Sequence, residues 1–106
     1  MEFNDYQEFT RTTAIYPKAQ ALTYLALGLT SEAGEVAGKV KKLIRDGNTL
    51  PTFTKDLIAE LGDVLWYVAR LADEMEVDLF HVAALNKDKL STRKERGTIG
   101  GSGDIR

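Results

Sequence analysis

Two pairs of acidic residues lie on segments that the sequence predicts to be successive helices. The first pair is Glu32 and Glu35, and the second pair is Glu60 and Asp63. Residues three apart share one face of a helix, so each pair presents two carboxylates in the same direction. Glu32 and Glu60 also border the apolar stripe of their helices, where burying a carboxylate is costly unless a cation or hydrogen-bond donors compensate it.

A hard divalent cation is the partner that this arrangement favours. If the two helices pack antiparallel, the four carboxylates converge, and their mutual repulsion raises their pKa values unless a cation neutralises it. Mg²⁺ takes oxygen ligands and leaves positions open for phosphate oxygens, and Mn²⁺ has similar preferences. Iron is disfavoured, because a di-iron bundle is expected to carry Glu-x-x-His pairs. The chain has a single histidine, His81, and no glutamate precedes it by three residues.

A solvated helix face is the alternative interpretation of each acidic pair. Two glutamates three residues apart are common on helices and are usually hydrated. Two such pairs on adjacent helices, each with one member against the apolar stripe, form a much narrower pattern. From the pattern alone, a metal site and a solvated acidic face both remain open.

Four helices joined by short connections are expected to position these carboxylates. Apolar residues at helical spacing predict helices over residues 4–14, 19–45, 54–75 and 78–96. Asn4 and Gln7 form a predicted capping box at the start of the first helix, and Asp78 is the predicted cap of the last one. Pro17 and Pro51 fall in the predicted connections. Residues 46–48, Asp-Gly-Asn, are the predicted stop of the second helix.

The fold class that follows is all-α, with three or four helices in one domain. The domain is expected to cover residues 1–96. A glycine-rich tail at residues 97–106 is expected to be flexible unless a partner or ligand orders it. The apolar residues expected to face the core are Leu22, Leu25, Leu29, Val36, Val40, Leu43, Leu57, Leu61, Val64, Val68, Leu71, Leu79, Val82, Leu85 and Leu90.

The composition excludes several classes of protein. The chain has 106 residues with 16 acidic and 14 basic side chains, and its net charge of −2 argues against a nucleic-acid polymer as partner. No apolar run approaches the ~18 residues of a membrane-spanning helix, and the polar, acidic N-terminus does not resemble a signal peptide. Because cysteine is absent, a reducing compartment fits, and we expect a cytoplasmic protein.

The residues around both acidic pairs resemble those of the MazG-like nucleoside triphosphate pyrophosphohydrolases. The two segments are Leu-Thr-Ser-Glu-Ala-Gly-Glu-Val at residues 29–36 and Glu-Leu-Gly-Asp-Val-Leu-Trp-Tyr at residues 60–67. The family carries Glu-x-x-Glu, a variable spacer and Glu-x-x-Asp, and the 24 residues between Glu35 and Glu60 fit that spacer. The end of the chain, from residue 86 onward, is also similar to that of short, single-domain members.

The resemblance implies a metal-dependent hydrolase with an all-α bundle fold that works as a homodimer or homotetramer. Such an enzyme converts an NTP or dNTP to the nucleoside monophosphate and pyrophosphate with Mg²⁺, for which Mn²⁺ substitutes. The metal ligands carried over onto this chain are Glu32, Glu35, Glu60 and Asp63. Water attacks the α-phosphorus in line, and Glu35 is the favoured general base, although the sequence does not distinguish it from the other carboxylates.

Three side chains close to these motifs are candidates for contact with the substrate. Lys39 lies four residues after Glu35 and either contacts a phosphate or pairs with Glu35 along the helix. Tyr67 lies beside the expected metal ligands and is the better candidate for a substrate contact. For Trp66, three interpretations stay open: a subunit interface, stacking on the base, and packing against the first or last helix.

Asn86, Lys89 and Arg93 share one face of the last predicted helix, at spacings of three and four residues. An asparagine and two cations there are suited to binding a base edge and phosphates. The alternative is an ordinary solvated polar face, and the resemblance favours the binding function, above all for Asn86 and Lys89.

Other functions of the same fold are also open. Within the fold, a dUTP-directed hydrolase and a phosphoribosyl-ATP pyrophosphohydrolase are alternatives. A non-catalytic, helical regulatory dimer belongs to a different class, but four converging carboxylates would destabilise a purely structural dimer. The thin core expected of a short chain and the aromatic residues Phe3, Tyr6, Phe9 and Trp66 predict an obligate oligomer, at least a dimer.

Overall fold

Four helices make up the protein in a computed structural model that describes residues 1–47 and 50–106. The helices are α1 (Phe3–Thr10), α2 (Ala21–Asp46), α3 (Leu50–Glu74) and α4 (Leu79–Arg96), and two short 3₁₀ turns, Arg11–Thr13 and Lys18–Gln20, join α1 to α2. No strand occurs in the described residues, which confirms the all-α prediction. In the same part of the chain, no helix combines the length and apolar character needed to cross a bilayer.

The two long helices, α2 and α3, form an antiparallel hairpin. Gly28 approaches Tyr67, and four residues further along α2 Glu32 lies near Asp63, so the two helices run in opposite directions. α2 ends at Asp46 and is followed by Gly47, whose φ of 65° places it in the left-handed conformation that glycine adopts without strain. This part of the predicted stop signal is confirmed.

The start of α3 differs from the prediction. The third helix was predicted to begin at residue 54, after a turn over residues 48–54 around Pro51, but α3 already begins at Leu50, so Pro51 lies in the first turn of the helix. Proline is favourable there, because the first N–H groups of a helix have no partner within it. Residues 48 and 49 of the expected turn lie outside the described residues.

The start of α4 is held by side chains from α1. Gln7 Oε1 accepts a hydrogen bond from the N–H of Leu79 at 2.8 Å, and Asn4 Oδ1 accepts one from the N–H of Phe80 at 3.1 Å. The buried Gln7 also donates from Nε2 to the carbonyl oxygen of Val77 at 2.8 Å. These bonds satisfy N–H groups that would otherwise lack a partner at the helix end, and they fix α1 across the turn between α3 and α4.

The predicted capping box of α1 is therefore wrong, because Asn4 and Gln7 point to α4 instead. α1 begins after Glu2, whose N–H donates to Asp5 Oδ2 at 2.9 Å. Asp78 does occupy the position before α4, but its side chain makes no capping hydrogen bond.

A buried arginine joins α3 to the segment between α1 and α2. Arg70 is only 3% exposed, and it donates to the hydroxyl of Tyr16 at 2.9 Å and to Asp73 at 2.8 Å. It also lies 3.3 Å from Glu74. From the other side, Arg11 binds Asp73 at 2.7 Å. Burying the charge of an arginine is costly unless such acceptors surround it, so this network fixes the connecting segment against α3.

The apolar core of one chain is small. The buried apolar side chains among the described residues are Ala21, Leu25, Ala69, Ala72 and Leu79. Of the predicted core positions, the exposed ones are Leu22, Val40, Leu61, Val82, Leu85 and Leu90. The prediction that these residues face the core of one chain is wrong. For Val82, Leu85 and Leu90, the reason is that α4 packs mainly against α1 and α3 and leaves much of its apolar side, including Leu85 at 57% exposure, uncovered.

The C-terminal tail folds back along α4 after Gly97 ends that helix. Arg93 Nη2 donates to the carbonyl oxygen of Asp104 at 2.7 Å, and Arg96 Nη2 donates to that of Arg106 at 2.7 Å. The tail was expected to need a partner or ligand for its order. In the structure, contacts within the chain hold it.

Candidate functional site

Three of the four predicted metal ligands come together across the α2–α3 hairpin. One carboxylate oxygen from each of Glu32, Glu60 and Asp63 lies within 4.8 Å of the others. Two oxygen ligands of one Mg²⁺ lie about 3 Å apart when adjacent and about 4 Å apart when opposite, given metal–oxygen distances near 2.1 Å. Small side-chain rotations therefore suffice to bring the three oxygens around one ion. A set of carboxylates alone is also the kind of site that a hard cation prefers, so these residues fit a divalent ion.

The electrostatics of Glu32 show how closely these carboxylates approach each other. Partial burial raises the pKa of Glu32 above its ordinary value, and the negative charge of Asp63 and the contact with Glu60 raise it further. Glu32 and Glu60 are half-buried, whereas Asp63 is exposed. The two neighbouring carboxylates thus make it harder for Glu32 to ionise, and a bound cation would remove this penalty.

Glu35 lies outside this group of three. It is exposed on α2, and its charge contributes only the smallest of the effects that raise the pKa of Glu32. Residues three apart lie about 60° apart around a helix, and Glu32 joins Glu60 and Asp63 whereas Glu35 does not.

A pocket of about 370 Å³ adjoins the carboxylates. The residues that line it are Phe9, Thr13, Glu32, Asp63, Trp66 and Tyr67. Sequence reasoning missed Phe9 and Thr13 as pocket residues. Their spacing of four within the predicted first helix was the available signal, since it places both on one side of that segment.

The aromatic wall of the pocket is built within one chain. Trp66 Nε1 donates to Thr13 Oγ1 at 2.7 Å, and the Trp66 ring meets that of Tyr67 edge-on, with centroids 5.0 Å apart. Tyr16 meets Trp66 edge-on at 6.4 Å. Of the three interpretations of Trp66, packing against the first predicted helix (residues 4–14) agrees with the contact to Thr13, although Thr13 lies in the 3₁₀ turn after α1. The same ring also borders the pocket.

Tyr67 lies over Gly28, where the absence of a side chain on α2 makes room for the ring. A Cβ atom at Gly28 would lie 2.0 Å from Cε1 of Tyr67. Burial raises the pKa of the Tyr67 hydroxyl, and the neighbouring hydroxyl of Tyr24 and the charge of Glu32 raise it further. The predicted substrate-contact residue Tyr67 is thus next to the carboxylates.

The other predicted substrate residues are not in this pocket. Asn86 and Lys89 line a groove on α4 with Val82 and Leu85, and the buried Arg93 is bound to the tail. Within a single chain, the structure does not bring these three residues of α4 into the pocket that holds the carboxylates.

Lys39 is half-buried on α2. In the part of the chain that the structure describes, it forms no ion pair with Glu35. The proposed pairing of Lys39 along the helix is therefore not seen, and its amino group is available for another anion.

Comparison with known proteins identifies the family of the chain. Residues 20–98 match the family model of the MazG nucleotide pyrophosphohydrolase domain, so the chain belongs to that family. It is 48% identical over 114 aligned positions to the Gene 37 protein of Mycobacterium phage L5, and the alignment covers the whole of both chains. No solved structure gives a significant match. The resemblance inferred from the two acidic segments is confirmed. MazG domains are generally nucleotide pyrophosphohydrolases and typically depend on a divalent metal.

Proposed function

We propose that this protein hydrolyses a nucleoside triphosphate, NTP or dNTP, to the nucleoside monophosphate and pyrophosphate. The observation that carries the proposal is the approach of Glu32, Glu60 and Asp63 within 4.8 Å of one another, beside a pocket lined by aromatic residues. A chain of the MazG family has no structural need for three carboxylates in mutual repulsion, but a site for a metal-bound triphosphate does need them.

The carboxylates hold Mg²⁺ or Mn²⁺ in this proposal. When bound, the ion neutralises negative charge on the triphosphate and on the departing pyrophosphate. Glu32 and Glu60 are the half-buried ligands, and Asp63 is the exposed one. Glu35, the fourth predicted ligand, completes the ligand set or accepts the proton of the water that attacks the α-phosphorus. Its exposed position on α2 leaves room for a water molecule beside it.

The pocket next to the carboxylates is the proposed position of the nucleoside. Tyr67 contacts the substrate from the α3 side, and Trp66 offers the base an aromatic surface from the same helix. Base–aromatic stacking tolerates every base, since all bases have a π-face, so these contacts alone do not select one nucleotide. Lys39 on α2 is proposed to contact a phosphate.

We also propose that the active protein is a homodimer or homotetramer. The chain exposes 7738 Å², whereas a folded monomer of this mass exposes about 5,900 Å². Its radius of gyration is 16.5 Å, against about 13 Å for a compact domain of this length. The surplus surface, about 1,800 Å², exceeds the ~800 Å² that each partner buries in a standard interface. A second copy that covers the apolar side of α4 would account for it.

An oligomer also gives the remaining predicted substrate residues a place in the site. Asn86, Lys89 and Arg93 lie outside the carboxylate pocket of their own chain, and we propose that they reach the pocket of a neighbouring copy. The acidic α2–α3 hairpin and the basic residues of α4 are complementary in charge. A cytoplasmic location, without a nucleic-acid polymer as partner, remains our prediction.

A panel of nucleotides tests this function. Purified protein is incubated with each canonical NTP and dNTP, with dUTP and with phosphoribosyl-ATP, in Mg²⁺ or Mn²⁺, and the products are identified by phosphorus NMR. We expect pyrophosphate and the monophosphate from at least one nucleotide, and no reaction in excess EDTA. Glu60→Gln is expected to abolish the reaction, while the control Glu95→Gln, an exposed residue of α4, keeps it.

Two results would contradict the proposal. Activity that survives EDTA would remove the metal from the mechanism. The absence of product from every nucleotide, in a folded protein with a metal-dependent rise in melting temperature, would instead favour the non-catalytic helical dimer.

A further inference from the structure

The carboxylate of Asp104 in the C-terminal tail lies between two cations of α4. Asp104 Oδ1 is 3.2 Å from Lys89 Nζ and 3.3 Å from Arg93 Nη2. The Arg93 side chain is 5% exposed, whereas that of Asp104 is 82% exposed. Arg93 is therefore held within the protein, the Lys89 side chain is 38% exposed, and the carboxylate reaches both from the solvent side. These two cations are the ones proposed above to bind substrate phosphates.

The backbone conformation of the tail places the Asp104 carboxylate beside α4. Gly101 and Gly103 have φ angles of 102° and 84°, a region that side chains other than glycine rarely adopt. Arg106 closes the loop, because its guanidinium donates to the carbonyl oxygens of Ile99 at 3.1 Å and Gly100 at 3.2 Å. These contacts fold the tail into a loop that ends at α4.

A carboxylate and a phosphate oxygen are alternative acceptors for the same charged donors. Lys89 and Arg93 cannot both bind Asp104 and bind a phosphate at the same position. The ion pairs reach water through the exposed Asp104 carboxylate and the partly exposed Lys89 side chain, and pairs at the surface are weak. An anion with more negative charge than one carboxylate therefore has an advantage at this position.

We propose that Asp104 is a built-in competitor of the substrate: it occupies a phosphate position between Lys89 and Arg93, and the tail is displaced when an anion binds there. The proposal rests on the proposed function in one respect, the assignment of these two cations to phosphate binding. Asp104 thereby sets the affinity of the site for phosphates without touching the reacting atoms. Loss of its charge increases that affinity.

Pyrophosphate alone, without metal or nucleotide, is the probe for the test. Its dissociation constant is measured by calorimetry for the wild-type protein, for Asp104→Asn and for the control Asp88→Asn. Asp88 is also an exposed acidic residue, on α4 itself, and its carboxylate makes no ion pair within the described residues. Both variants change the net charge equally, so only the contact with the two cations distinguishes them.

We expect Asp104→Asn to bind pyrophosphate about two- to five-fold more tightly than the wild type, the range that a surface ion pair supports. Asp88→Asn is expected to stay within the error of the wild type. In the wild-type protein, the amide resonances of Gly101 and Gly103 are expected to shift as pyrophosphate is added, because the tail leaves α4.

Three results would overturn the proposal. The first is an unchanged or weaker affinity in Asp104→Asn, which would make Asp104 a residue that positions the two cations. The second is saturation with pyrophosphate while the tail resonances stay in place. The third is the absence of pyrophosphate binding to wild type and variant at millimolar concentration.

Neither measurement depends on turnover, so the two proposals fail separately. If pyrophosphate displaces the tail but the protein hydrolyses no nucleotide, the competition is supported and the proposed function is contradicted. Hydrolysis of a nucleotide with equal pyrophosphate affinities in wild type and Asp104→Asn would support the function and contradict the competition.

Discussion

Replacing Gly28 with alanine tests the contact that positions Tyr67 beside the carboxylates. The new Cβ would lie 2.0 Å from Cε1, 2.4 Å from Cζ and 2.7 Å from Cδ1 of the Tyr67 ring. Non-bonded carbon atoms normally stay about 3.5–4.0 Å apart, so the ring must move by about 1.5 Å, or the two helices must separate. Either change alters the wall of the pocket that Glu32 and Asp63 share with Tyr67.

The magnitude follows from comparison with Gly38→Ala on the same helix. Both substitutions favour the helix by about 0.5–1 kcal/mol, since glycine is a poor helix former. At Gly38 a Cβ meets no atom within 4 Å, so that gain stands alone. At Gly28 overpacking costs about 1–3 kcal/mol. The free energy of unfolding of Gly28→Ala is therefore expected to be about 1–3 kcal/mol lower than that of Gly38→Ala.

Urea unfolding followed by circular dichroism measures this difference, and steady-state kinetics measures its effect on the site. Gly28→Ala is expected to raise KM or lower kcat, whereas Gly38→Ala leaves both unchanged. Adding Tyr67→Leu to Gly28→Ala is expected to recover part of the lost stability, because the smaller side chain removes the overlap. Equal stability and equal activity in the two alanine variants would refute the close approach of α2 and α3 at Tyr67.

Three further predictions concern charge and assembly. Glu32→Gln is expected to raise the melting temperature in EDTA, because it removes repulsion from Asp63 and Glu60. It is also expected to abolish the increase in melting temperature that Mg²⁺ causes. A thermal unfolding curve in which Mg²⁺ stabilises the variant as much as the wild type would contradict this. The hydrogen bond from Arg11 holds the pKa of Asp73 below its ordinary value of 3.8. The ion pairs of Asp73 therefore contribute fully to the free energy of unfolding above pH 3.8, and this contribution is lost as the pH falls through the lowered pKa of the folded protein. Asp73→Asn should thus make the free energy of unfolding less dependent on pH in the acid range. Light scattering at micromolar concentration should show at least a dimer, and a fully active monomer of 11.8 kDa would disprove the proposed interface.

The long hairpin and its acidic face were predictable because they depend on local periodicity. The apolar spacing of α2 and the glycine at residue 47 predict the helix and its end. The spacing of three in each acidic pair predicts convergence if the helices pack antiparallel. The spacing does not predict which glutamate of the first pair approaches the carboxylates of α3. It depends on how α2 and α3 meet, as in the contact of Gly28 with Tyr67 between residues 39 positions apart, and local periodicity does not predict such a contact.

Long-range hydrogen bonds were beyond sequence reasoning. Asn4 and Gln7 have the spacing of a capping box, but they bind N–H groups more than 70 residues away, at the start of α4. Their side chains suit either task equally well. The path of the chain from α3 into α4 decides between the two.

The side of α4 that carries Val82, Leu85 and Leu90 shows what helical periodicity does not predict. Helical periodicity identifies an apolar side but not what covers it. Within one chain α4 meets mainly α1 and α3, so these residues remain exposed. Periodicity predicts the same pattern for a core within a chain and for an interface between chains.

The position of oxygen from water in the products tests the central claim most directly. The protein is incubated with Mg²⁺ and its best nucleotide in water enriched in ¹⁸O, and both products are examined by mass spectrometry. Attack at the α-phosphorus predicts one labelled oxygen in the nucleoside monophosphate and none in the pyrophosphate. Label in the pyrophosphate, or orthophosphate as the product released, would contradict the account.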